Sequence, residues 1–166
     1  MEVSNGVKIC ASNRIDLFMN ALGARSPSPG GGAAAALTGA VGAALVAKVA
    51  NYTIGRKKHG KYEKEAMAIT KEILTIRNKI ARGIEWDAKA YDEYSKTKNR
   101  ASLKKATKCV AEIARLSREA LKHCERLKKI GNKNLKGDLY AAGLLLGASA
   151  KAADNLVKLN KKWMGR

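Results

Sequence analysis

Ser26-Pro27-Ser28-Pro29-Gly30-Gly31-Gly32-Ala33-Ala34-Ala35-Ala36 holds both prolines of the 166-residue chain and opens a run of small residues that reaches about Tyr52. Proline fixes φ and glycine admits any φ, so the stretch reads as a shaped loop turning into a helix whose first turn is bare backbone. Free N–H groups at a helix N-terminus attract an anion or a polarised carbonyl oxygen, and glycines let a flat ligand come close. Small residues equally allow two helix backbones to pack tightly, and the glycines alone leave both roles open. A phosphate loop is not one of them. Gly-x-x-x-x-Gly-Lys-Ser/Thr is absent, and no β-branched strand precedes the glycines.

Outward from this stretch the pattern is helical throughout. The small-residue segment extends as a helix over about Gly31–Ile54, with Gly39, Gly42, Ala43, Ala47 and Ala50 leaving little side chain on any face, which predicts a central helix. Its uncharged part, Ala33–Ala47, is too short and too rich in Ala and Gly for the roughly 20 strongly apolar residues of a membrane span, so a buried helix is expected. Upstream, Ser12 or Asn13 can cap a short helix Arg14–Leu22 with Ile15, Phe18, Met19 and Leu22 on one side, a lid or packing helix. Downstream, Gly55-Arg56-Lys57-Lys58-His59-Gly60-Lys61 reads as a basic turn.

From Tyr62 apolar residues recur at three- and four-residue steps: Ala66, Ile69, Ile73, Ile76, Ile80, then Gly83, Asp87, Tyr91 and Tyr94. The spacing predicts one face of a long helix. Asp87 stands inside the apolar stripe, where a carboxylate is costly unless paired or hydrogen-bonded, so it is either a buried ion-pair member or part of a site. A further helix over about Ala101–Lys129 carries the seam Leu103, Ala106, Val110, Ile113, Ser117, Leu121, Cys124 and Leu127. Its basic stripe is Lys104, Lys108, Arg115, Arg118, Lys122, Arg126 and Lys129. After the turn Gly131–Asn134, a last helix to about Trp163 is read with Asp138, Ala142, Leu145, Ser149, Ala152, Leu156, Leu159 and Trp163 on one face. Asp138 near its start is favoured by the helix dipole, and capping would suffice to explain it. The small middle of this helix, Ala141–Ala153, is suited to lie against the Gly/Ala-rich second helix.

The fold class that follows is all-α: an up-and-down bundle of about five helices with Gly/Ala-rich central helices, forming a single domain over residues 1–166. Cys10, Cys109 and Cys124 are widely spaced without a Cys-x-x-Cys pair, which argues against a disulfide framework or zinc ribbon and suits a reducing, cytoplasmic setting. The first residues lack the basic start and apolar run of a signal peptide. A net charge of +19 calls for acidic partners, and nucleic acid is one candidate.

Taken together these motifs resemble the formiminotetrahydrofolate cyclodeaminase / methenyltetrahydrofolate cyclohydrolase family. The resemblance rests on Pro27–Gly32 with the Ala/Gly helix behind it, on Val49-Ala50-Asn51-Tyr52-Thr53-Ile54-Gly55-Arg56-Lys57-Lys58, on Asp87-Ala88-Lys89-Ala90-Tyr91, and on Gly131–Asn134 with Asp138 and Asn155. Ala33 and Gly137 stand where members of that family usually carry serine. The resemblance implies a homodimer whose protomers pack small-residue helices together, with a folate site between helices. It implies Asp138 and Asp87 as catalytic carboxylates for cationic, amidine-like carbon centres. Pro29, Gly30, Gly31, Gly32, Asn134 and Asn155 are implied as substrate contacts, and Lys57 and Lys58 as holders of the glutamate tail of the folate, which is polyglutamylated in some forms. It implies no metal and no permanently bound cofactor, the tetrahydrofolate derivative being the substrate. The alternative is a catalytically diverged member that binds another anionic ligand or RNA.

Overall fold

The computed structural model describes residues 14–165, except for the side chains of Arg14 and of residues 57–59. Among the described residues there is no strand. Five α-helices follow one another: α1 Arg14–Gly23, α2 Gly31–Asn51, α3 Glu63–Thr97, α4 Arg100–Ile130 and α5 Lys136–Met164. Helices α2 to α5 form an up-and-down bundle in which α2 and α4 each lie against both α3 and α5 and face one another across the core. The all-α bundle and the central place of the small-residue helix are as the sequence predicts.

The stripe read along α3 is the buried one: Ala66, Ile69, Ile73, Ile76, Ile80, Gly83 and Asp87 all lie inside. The α4 seam is buried as well, except for half-buried Leu121. Asn99 caps α4, its Oδ1 accepting the Ser102 N–H at 2.8 Å, which satisfies one of the free donors of the first turn. Between α2 and its neighbours the small residues do what side-chain bulk forbids. A Cβ at Gly39 would stand 2.6 Å from Ser149 Oγ and 2.9 Å from Ser117 Oγ. Those two hydroxyls are buried and bonded to each other at 2.9 Å, and Ser149 also donates to the Ala35 carbonyl at 2.7 Å.

Four expectations need correction. First, α2 stops at Asn51, short of Ile54. The buried Thr53 hydroxyl there donates to the Val49 carbonyl at 2.8 Å and accepts the Asn132 N–H at 3.1 Å, tying the exit of α2 to the α4–α5 turn. Second, the basic turn contains a 3-10 helix, Lys57–Tyr62. Third, only part of the face read on α1 is covered: Ile15 and Met19 are exposed, while Phe18 and Leu22 are half-buried; its cap at residue 12 or 13, like Cys10, lies outside the described residues. Fourth, the buried face of α5 is turned by about one residue from the one read, and consists of Leu139, Ala142, Leu146, Ser149, Ala150, Ala153 and Asn160. With Ala, Gly and Leu on nearly every side of its first half, hydrophobic periodicity does not define a unique face.

The helix contacts predict opposite effects for two Gly→Ala changes, one on α2 and one on α5. Gly39→Ala forces a methyl into the serine pair and is expected to cost about 1–3 kcal/mol, the usual penalty of overpacking. At Gly143 a Cβ would meet only Cys124 Sγ at 4.0 Å, so Gly143→Ala is expected to be neutral or to gain up to about 1 kcal/mol from helix propensity. Urea unfolding of the two variants checks the pair.

Candidate functional site

The start of α2 has no side-chain cap of its own, because its N-cap residue is Gly30. The missing acceptor comes from another helix. Asp87 of α3, only 6% exposed, reaches the first turn of α2, where the backbone N–H of Ala33 favours its charged form. A Cβ at Gly32 would overlap the Asp87 carboxylate, so the glycine is there to let the carboxylate approach. Asp87 forms no ion pair with any described cation. Burial pushes its pKa above the usual aspartate range, and the Ala33 N–H opposes that shift only in part.

A cavity of about 200 Å³ opens beside this carboxylate at the end of the bundle. Pro27 and Gly30–Gly32 line one side, and Asp87 and Tyr91 of α3 another. Leu156, Asn160 and Trp163 of α5 complete it. Asn160 is 6% exposed, yet its amide has no hydrogen bond to any other described residue, so its donors and acceptor remain available inside the cavity. The loop is fastened from below: Ser28 Oγ donates to Asp92 Oδ1 of α3 at 2.8 Å. Cys109 lies nearby, but burial, with a smaller contribution from the Asp87 charge, pushes its thiol up to about 12. It is therefore no nucleophile at neutral pH.

The residues singled out in the sequence divide between two ends of the molecule. Gly30, Gly31, Gly32 and Asp87 form the cavity, with Pro29 half-buried in the loop behind them. Asn155 is exposed on α5, next to Leu156, whose side chain would meet a Cβ at Gly31 at 3.6 Å. Asp138 stands at the opposite end in the first turn of α5, paired with Lys48 of α2 at 2.9 Å. Its hydrogen bond and charge hold the Lys48 ammonium above the usual lysine range. Gly32 and Lys48 are both on α2, and at 1.5 Å of rise per residue they lie about 24 Å apart. Exposed Asn134 and the backbone of Lys57 and Lys58 belong with the Asp138 end of the chain. The carboxylates Asp87 and Asp138 therefore do not meet within one protomer. Asn160 was missed in the sequence because the α5 face was read out of phase; the signal was a lone amide four residues beyond Leu156.

This arrangement, a helical bundle with a carboxylate that no described cation pairs, buried against a glycine-rich helix start, can be set beside known proteins. Residues 14–165 match the family model described as formiminotransferase-cyclodeaminase. The methenyltetrahydrofolate cyclohydrolase of Methylorubrum extorquens is 31% identical over 170 aligned positions, which cover 93% of this chain and 82% of that protein. The crystal structure of formiminotetrahydrofolate cyclodeaminase from Thermotoga maritima has a TM-score of 0.86 at 28% identity, over 90% of this chain and 78% of that one. The chain belongs to the formiminotransferase-cyclodeaminase family.

A raised carboxylate pKa in the native state has a defined sign in the stability profile. The native protein holds the Asp87 proton more tightly than the unfolded chain, so this contribution is fully present below the unfolded pKa and is lost as pH rises through the folded one. Asp87→Asn keeps an oxygen for Ala33 and removes the charge. Urea unfolding between about pH 4 and pH 8 is expected to show the variant gaining on the wild type with rising pH and at least equalling it at neutrality.

Proposed function

We propose that this protein is an enzyme of folate one-carbon metabolism, a formiminotetrahydrofolate cyclodeaminase or methenyltetrahydrofolate cyclohydrolase, with the Asp87 cavity as its reaction centre. The observation that carries this reading is the buried Asp87 carboxylate, unpaired by any described cation and flanked by a free amide and a bare helix start. Such a carboxylate is expensive to keep, and a cationic substrate supplies the missing counter-charge.

The chemistry matches. In the deaminase reaction N10 of the folate attacks the formimino carbon, the ring closes, and the former imino nitrogen leaves as ammonia. In the hydrolase reaction water adds to the methenyl carbon, its bond to N5 breaks, and a proton is released. Both pass through a carbon between two nitrogens that share positive charge. Asp87 in its ionised form stabilises that charge, and its raised pKa lets it take the proton from N10 or from water and return it to the departing nitrogen. Asn160 orients the reacting carbon's polar neighbours. Tyr91 and Trp163 offer aromatic surface to the pteridine. The reading needs no resident metal or cofactor, since the tetrahydrofolate derivative is the substrate, and among the described residues no three His, Cys, Asp or Glu side chains cluster as metal donors. It includes a cytoplasmic setting, which free Cys109 and Cys124 suit. The alternative of a diverged RNA- or anion-binding member is not favoured, because both named relatives are enzymes.

The reading also includes a homodimer. Helix α2 is apolar enough to span a membrane, with a mean hydropathy of 1.7 in its best window, yet only 61% of that window is buried in the bundle. Val41 of α2 and Tyr140 and Leu144 of α5 are exposed on neighbouring helices. On a chain of net charge +19, this apolar patch is where a second copy approaches with least repulsion. A two-fold axis across α2 would carry the Lys48–Asp138 end of one copy toward the glycine-rich end of the other, and so give Asp138, Asn134, Lys57 and Lys58 a place near the substrate.

Two experiments test the reading. Wild type should release ammonia from formiminotetrahydrofolate or bleach the methenyl absorbance of methenyltetrahydrofolate, and Asp87→Asn should lower kcat by about 10²-fold or more with the fold intact; equal turnover would remove Asp87 from catalysis. In sedimentation equilibrium, Leu144→Glu is expected to convert a dimer to a monomer, and an unchanged mass would exclude this face.

A further inference from the structure

The cation surplus is unevenly matched. Several of the basic residues of α4 are engaged: Arg115 with Glu112 and Glu119, Arg118 with Asp154 of α5, and Arg126 with Glu65 of α3. The first turns of α4 differ. Arg100, Lys104 and Lys108 project at four-residue steps along a groove between α4 and α5, and Lys161 joins them from α5. None of the four forms an ion pair with a described carboxylate, and no carboxylate lines the groove. Like charges at four-residue spacing destabilise a helix, so this row lowers stability until an anion lies against it.

On the other flank of α4, against α3, lies a second groove of about 430 Å³. Its carboxylates are already matched: Glu93 holds Lys105 at 2.9 Å, and Glu112 holds Arg115 at 2.7 Å. What this groove adds is Trp86, a large aromatic residue left 52% exposed. Lys108 lines both grooves. The ridge of α4 thus carries an open aromatic face on one flank and unpaired cations on the other, joined by one lysine.

We propose that this strip, from Trp86 over Lys108 to Lys161, is a binding site for single-stranded nucleic acid. A base stacks on Trp86, and the phosphates that follow lie against Lys108, Lys104, Arg100 and Lys161. Proteins that bind single strands without reading their sequence combine these same two parts, a cationic groove that tracks the backbone and an aromatic side chain on which a base stacks. Other polyanions match only half of the strip. An inorganic polyphosphate has charge for the cations but no flat face for the indole. A duplex keeps its bases inside the stack and leaves Trp86 uncovered.

Neither Trp86 nor any of the four cations lines the Asp87 cavity. A strand on α4 therefore leaves the reaction centre open, and binding here is independent of folate turnover. The enzyme reading stands unchanged beside it. The site also gives a partner to cations that a substrate in a cavity of about 200 Å³ does not reach.

The test is fluorescence anisotropy of a labelled oligothymidylate of about 12 nucleotides. It compares wild type with Lys104→Glu/Lys108→Glu and with a control of equal charge change, Lys122→Glu/Lys129→Glu, about 21 Å further along α4. All four lysines are exposed, and circular dichroism checks that each variant is folded. For wild type and control, a plot of log affinity against log salt is expected to fall with a slope of about −3, the value for four phosphates of a single strand. The groove variant is expected to lose about 10-fold or more in affinity, with a shallower slope. Trp86→Leu keeps apolar bulk but no ring, and is expected to bind about 5-fold or more weakly with the slope unchanged. Trp86→Phe should recover most of that loss.

No binding by wild type at low salt, or equal losses in the two double variants, would overturn the proposal. So would a duplex of the same length bound as tightly as the single strand, or wild-type affinity in Trp86→Leu. Either of these would mark a surface for polyanions in general, without a place for a base.

Discussion

The structure depends on backbone approach along α2, where side chains are absent so that other groups can occupy their place. At Gly39 that space belongs to the bonded hydroxyls of Ser117 and Ser149, and at Gly42 to Leu146. At Gly32 it belongs to the Asp87 carboxylate. The first two contacts set how closely α4 and α5 surround α2, and the third brings a charge to the helix start. One compositional device thus makes both the packing and the site. Of the two roles that the glycine-rich stretch left open, close approach of neighbouring groups along one helix is the one these contacts show.

Electrostatics distinguishes the two ends of the bundle. At the α5 start, Asp138 is partly exposed and held by Lys48, an arrangement that water and a partner charge make inexpensive. At the α2 start, Asp87 is the one buried carboxylate of the described core, and it has a backbone N–H in place of a cation. A carboxylate in that condition responds strongly to an arriving positive charge, which is the property the proposed reactions would draw on. Cyclodeamination and cyclohydrolysis share the methenyl-bridged cation, so related proteins named for either reaction are consistent with one reaction centre.

Much of this was legible in the chain. The long, regular stripe from Ala66 to Ile80 defined α3 because isoleucines on one side alternate there with charged residues on the other, and helical periodicity is then unambiguous. Asp87 was visible as a carboxylate in that stripe, and the bare start of α2 as three consecutive glycines. The span of α4 was read to within one residue at each end, and the turn after it followed from Gly131–Asn134. By contrast, the rotation of α5 was illegible, because residues small on all sides carry no phase; with it went Asn160, the amide that completes the cavity.

By itself, then, the amino-acid sequence determined which segments are helical, which helix is central, and that a carboxylate is buried on α3, since these are local consequences of periodicity, side-chain size and charge. Only the tertiary structure decided that Asp87 meets the start of α2 while Asp138 lies at the opposite end, that Gly32 is there for the carboxylate, and that four cations of α4 and α5 share one groove. Those facts depend on how antiparallel helices are aligned along their axes, a register set by contacts between residues far apart in the chain.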